Sequence, residues 1–140
     1  MAADSPASFS LDLSKFVNRV PVNAEKAFKK IVLDMYTRVA KRTRVDTGLA
    51  RGNWQVAVGS PPTTAISRRS KTVDPTIALR ELADYDIRKE QSVHIVNHLH
   101  YIQPLENGTE NREGDHMLSR TVAEFHRFVA EASSILAGGV

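Results

Sequence analysis

Between residues 22 and 43 the apolar side chains of Ala24, Ala27, Phe28, Ile31, Met35 and Val39 recur at steps of three and four. That period predicts a long amphipathic helix, with Lys26, Lys29, Lys30, Lys41 and Arg42 on the opposite face. Pro21 suits a first helical turn, where its missing N–H costs little. Upstream, Phe9, Leu11 and Leu13 alternate with Ser10 and Asp12, the period of a short strand. Phe16, Val17 and Val20 suggest a helical turn.

Residues 53–59 alternate Trp54, Val56 and Val58 against Asn53, Gln55 and Ala57, which predicts a half-buried strand. Residues 60–73 keep no period. They hold Pro61, Pro62, several Ser and Thr, and the basic group Arg68, Arg69 and Lys71, and are expected to form a long mobile loop. With so little apolar surface, this loop is expected to order only on assembly. Asp74-Pro75 matches an N-cap followed by a first-turn proline, and Ile77, Leu79, Leu82 and Ala83 extend a helix over 75–84. Val93, Ile95 and Val96 mark a second main strand within 87–97. Residues 101–109 are turn-rich and expected to be partly extended. Asp115 is a candidate cap for a last helix over 116–136, with Leu118, Val122, Phe125, Val129, Ala132 and Leu136 as its stripe and Gly138 and Gly139 as its stop.

Strands and helices alternate along the chain. The expected fold is α+β: a small antiparallel sheet packed against a long N-terminal helix and a C-terminal helix. Residues 9–137 form the domain, with residues 1–8 and 138–140 as tails. So small a sheet leaves exposed edges that invite pairing with another subunit.

The composition is that of an ordinary soluble domain, with 41% hydrophobic and 25% charged residues in 140. The absence of cysteine excludes disulfides, thiolate metal sites and thiol nucleophiles. No apolar run reaches the ~18 residues of a membrane span, and residues 1–6 lack the pattern of a secretory signal. The net charge of +3 conceals an asymmetry. From Lys15 to Lys71, 13 basic residues face only Glu25, Asp34 and Asp46, a balance of +10, while the remainder carries −7. Such a split suits nucleic acid, or an acidic partner stacked on a basic end.

Candidate chemistry is sparse. His94, His98 and His100 lie near one strand end but lack the spacing of a helical metal-binding pair. Glu106, Glu110, Glu113 and Asp115 cluster in one segment without an opposed second cluster. Phosphate-binding loops, nucleophile elbows and DNA-reading motifs are absent, so no catalytic residue, cofactor or metal is expected. Arg42, Arg44, Arg68, Arg69 and Lys71 could neutralise phosphates without reading bases. A non-specific DNA-binding module is therefore the alternative function, and a metal-dependent hydrolase built on the three histidines a more distant one.

Two segments stand out: residues 44–54 (RVDTGLARGNW) and residues 97–109 (NHLHYIQPLENGT). In the first, Asp46 or Thr47 can bond nearby backbone N–H groups and Gly48 permits a turn. Together they resemble the neck and tail-component proteins of long-tailed bacteriophages, the family that includes lambda-like minor tail protein Z. Asp46, Thr47, Gly48, Arg51 and Trp54 match its first motif. Asn97, Tyr101, Glu106 and Gly108 match its second, and residues 117–125 match the start of its last helix. Arg44 stands where the family usually has proline, and His116 where small residues or proline are common.

The resemblance implies a non-enzymatic virion protein of the neck or upper tail, assembled in the host cytoplasm. It implies a ring homo-oligomer, as a hexamer, around the DNA channel. Its expected partners are the tail tube protein, the head–tail connector or stopper protein, and genomic DNA held non-specifically, with no membrane. The nine motif residues are then interface and scaffold positions, and the five basic residues face the channel or a neighbouring ring.

Overall fold

The computed structural model describes residues 7–12, 24–89 and 91–138. The turn expected at Phe16, Val17 and Val20, the role of Pro21 and the extreme tails lie outside them. The fold is α+β. Its three-stranded antiparallel sheet has the order β1 (Ala7–Asp12), β3 (Ser92–Asn97), β2 (Trp54–Val58). In register, Phe9 and Val56 flank Ile95, and Ala7 and Trp54 flank Asn97. Ala7 is buried within β1, so the N-terminal tail stops short of the expected residue 8. Its small side chain fits where the sheet meets the helices.

Helix α1 (Ala24–Arg42) packs against the sheet and the other helices through Ala27, Phe28, Ile31, Val32, Met35, Tyr36, Val39 and Ala40, all buried. Two adjacent positions per turn are buried, a wider stripe than the predicted one, because α1 is covered by helices as well as by the sheet. Glu25 in its first turn and Lys41 and Arg42 in its last oppose the helix dipole favourably. Helix α3 (Pro75–Leu82) starts as expected: the Asp74 carboxylate accepts from Thr76 N at 3.0 Å, with Pro75 in the first turn. The hydrogen bond from the Thr76 hydroxyl first, and then that backbone one, hold the Asp74 carboxyl below its ordinary pKa. A short 3₁₀ turn, Ile87–Lys89, precedes β3.

The C-terminal half departs from expectation in three places. Part of the supposedly extended 101–109 segment is helical, as α4 (Ile102–Asn107), followed by the two-residue strands β4 (Gly108–Thr109) and β5 (Arg112–Glu113). The last helix is broken at Glu124 into α5 (Met117–Ala123) and α6 (Phe125–Gly138). At the break the Thr121 hydroxyl donates back to Met117 O at 2.7 Å, a bond that bends helices. Its inward face is wider than the predicted stripe, of which Ala132 is buried and Leu118, Phe125 and Val129 pack against the core. Met117, Thr121, Phe128 and Ala132 are buried while Val122 is exposed. Phe125 meets Phe9 of β1 with ring centroids 6.0 Å apart.

Asp115 is not the cap of α5. The Glu106 carboxylate takes that position, accepting from Leu118 N at 2.8 Å and Ser119 N at 3.1 Å. His116 precedes the helix in the left-handed region, at φ 51°. Among the described residues no helix is long and apolar enough to cross a membrane.

Candidate functional site at the helix–strand joint

The first motif folds into a compact joint between α1 and β2. Gly48 adopts φ 86° and opens a single helical turn, α2 (Leu49–Gly52), while Thr47 Oγ1 accepts from Leu49 N at 3.2 Å. Trp54 is fully buried, and its indole N–H donates to Thr43 Oγ1 at 2.7 Å. The Thr43 hydroxyl passes the chain on to Val39 O at 2.8 Å. Arg51 closes the end of α1 by donating to Thr43 O at 3.0 Å and Lys41 O at 3.2 Å.

The 60–73 loop, expected to be long and mobile, is bonded to this joint over residues 66–71. Ile66 N donates to Asn53 Oδ1 at 2.8 Å, and Ser70 N to Gly48 O at 2.9 Å. Arg68 donates to Gly52 O at 2.8 Å and Trp54 O at 2.9 Å, and Arg51 to Lys71 O at 2.8 Å. Polar bonds to backbone do here what apolar packing could not. The loop is a strap along β2, and Gly52 is needed beneath it. A Cβ there would lie 2.3 Å from Arg68 O.

The second motif meets the first from the other side. Asn97 is fully buried; its amide donates to Ala50 O at 2.9 Å and its carbonyl accepts from Leu99 N at 3.0 Å. The side chain thus joins the end of β3 to α2. Glu106 is buried as the cap of α5, not solvated with the other acids of its segment. Gly108 ends α4 at φ 87°. Tyr101 and Leu105 come to face Arg44, Val45, Asp46, Thr47, Gly48 and Ala50 across an open cavity of about 420 Å³, with Arg112 at its rim. Val45 is 39% exposed there.

The basic candidates separate. Arg44 forms a two-pronged pair with Asp115, at 2.6 and 2.8 Å, which raises the pKa of the guanidinium. Arg42 lies 2.6 Å from Glu124 and 3.1 Å from Thr121 Oγ1. Arg38 and Arg127 join the same carboxylate at 3.5 and 3.1 Å. The Arg42 hydrogen bond first, then the surrounding positive charge, hold Glu124 below the usual carboxylate range. Arg68 is engaged by backbone carbonyls, whereas Arg69 and Lys71 are exposed. The +10 and −7 segments therefore meet partly within the one chain, where Arg42 and Arg44 are paired with Glu124 and Asp115.

The three histidines do not gather. His94 Nδ1 lies 2.7 Å from Ser10 Oγ, His98 Nε2 lies 2.6 Å from Pro62 O, and His100 packs edge-on against Tyr101. Among the described residues, no three of His, Asp and Glu form a group that could hold a metal ion. Thr43 and Arg112 are site residues that the sequence pattern did not single out. The one available signal was polarity at positions flanking buried apolar residues. The chain matches no protein-family model, no curated protein and no solved structure.

Proposed function

We propose that this chain is a structural subunit of the neck or upper tail of a long-tailed bacteriophage. It assembles into a ring, as a hexamer, that completes the tail tube and receives the head connector around the DNA channel. The observation that supports this reading is the convergence of two segments more than forty residues apart on one cavity, with Asn97 bonded to Ala50 O between them. Nearly all the motif residues are engaged in building that junction, as scaffold positions of an assembly protein are. The open cavity between the segments, with exposed Val45 and two arginines at its edge, is a surface suited to a neighbouring subunit. A closed ring of identical domains requires a head-to-tail interface of this unlike-surfaced kind.

Light scattering of the purified protein, alone and with tail tubes, tests the reading together with electron microscopy of the tails. A six-fold ring at the head-proximal end is expected. A strictly monomeric protein that leaves tail tubes undecorated, or a label found only at the distal fibres, overturns it.

A further inference from the structure

Lys41, Arg51, Arg69 and Lys71 form a patch at the C-terminal end of α1, and Arg51 is its organiser. Its guanidinium donates to Lys41 O at 3.2 Å and to Lys71 O at 2.8 Å, so the helix end and the strap are clamped side by side. The side chains of Lys41 and Lys71 leave from adjacent backbone, with Arg69 two residues along the same strap, and all three are exposed. Among the described residues none of the four is ion-paired with a carboxylate, unlike Arg38, Arg42 and Arg44. Asp74, the nearest acid along the strap, is engaged by Thr76.

We propose that this patch binds the phosphate backbone of duplex DNA without reading its sequence. The neighbours along the strap are Ser67, Ser70 and Thr72, and the exposed large apolar residues of the described chain (Val45, Leu79 and Val122) lie outside it. A protein partner would need an apolar or aromatic anchor, whereas phosphates need only cations and hydroxyls. No aromatic side chain lies on the strap to stack unpaired bases, which favours duplex over single strands. The strap is already ordered by its backbone bonds, so little is lost in fixing the cations on binding. This assignment stands independently of the neck reading. In a ring it turns the strap end of each subunit toward the channel.

The test is fluorescence anisotropy with a mixed-sequence duplex of about 30 base pairs, between about 50 and 200 mM salt. Neutralising about three phosphates per subunit predicts an affinity loss of about forty-fold across that range. The K41Q/R69Q/K71Q variant should lose nearly all of this binding and its salt dependence. The K26Q/K29Q/K89Q variant removes the same charge from elsewhere, Lys26 being roughly 22 Å from Lys41 along α1 and Lys89 sharing a recess with Glu25 at the far end of that helix, and should bind within about two-fold of the parent. Thermal unfolding establishes that both variants are folded. Equal losses in the two variants, no binding by the parent at the lowest salt, or binding to polyglutamate but not duplex each overturn the proposal. Ring formation, read by light scattering, is unaffected by any of these results.

Discussion

The α1–β2 joint and the seam between α1 and the α5–α6 pair are both rich in polar side chains, yet they are built oppositely. At the joint, Thr43, Asn53, Trp54 and Asn97 are buried, and every bond runs to a backbone group or to another buried side chain. At the seam, the partly exposed Arg38, Arg42 and Arg44 reach across to Glu124 and Asp115, whose side chains are 17% and 22% exposed. A buried hydrogen bond that loses one partner leaves the other desolvated and unsatisfied, at about 1–3 kcal/mol. A partly exposed ion pair that loses one partner admits water at its open side, at about 1 kcal/mol. The joint therefore determines which way the chain turns, while the seam adjusts how two helices settle.

The sharpest test of this contrast is Trp54→Ala. It empties a fully buried site and strands the Thr43 hydroxyl, and denaturant unfolding should show a loss of about 3–5 kcal/mol. Gly52→Ala comes next, because a methyl group there collides with the strap backbone. A loss of about 1–3 kcal/mol is expected, with tryptic cleavage at Arg69 accelerated relative to the parent. Slow cleavage in both proteins would show that the strap is held by something other than this close approach. Asn97→Ala leaves Ala50 O and Leu99 N without their partner and should cost about 1–3 kcal/mol, read from the same unfolding curves.

Glu124→Gln, at the seam, should cost no more than about 1 kcal/mol and less as salt is raised. Its effect depends on pH with a definite sign. The folded-state pKa of Glu124 is depressed, so its contribution is present above the unfolded carboxylate pKa of about 4.3 and is lost as pH falls through the folded value. Parent and variant should therefore converge in stability below about pH 4. A constant difference across that range would mean that the ion pairs contribute nothing and that the variant acts through packing. If Glu124→Gln proved as costly as Asn97→Ala, the distinction between the two regions would fall.

Legibility in the sequence follows the same division. The 3.6-residue stripe of α1, the alternation of β2 and the Asp74-Pro75 start of α3 were readable because each is a local pattern with a local cause. The two motifs were also readable as unusual segments. Their meeting around one cavity was not, because Asn97 and Ala50 become neighbours only through the β2–β3 pairing. The fastening of the strap was not legible, because its composition is that of a mobile loop. Its anchors are backbone carbonyls of Gly52 and Trp54, which carry no side-chain signature. The charge split was legible only as a count, since counting along the chain cannot show that Arg44 and Asp115 stand 2.6 Å apart.

By itself, the sequence determined the α+β class, the length and inward face of α1 and the positions of its principal strands. These depend on periodicity and on turn residues within reach of one another. Tertiary structure alone decided that Glu106 caps α5, that the final helix breaks at Glu124, and which basic residues remain free. Each of those outcomes depends on which distant group the fold brings within reach of a charge or an open backbone donor. That choice belongs to the packed fold rather than to any stretch of chain.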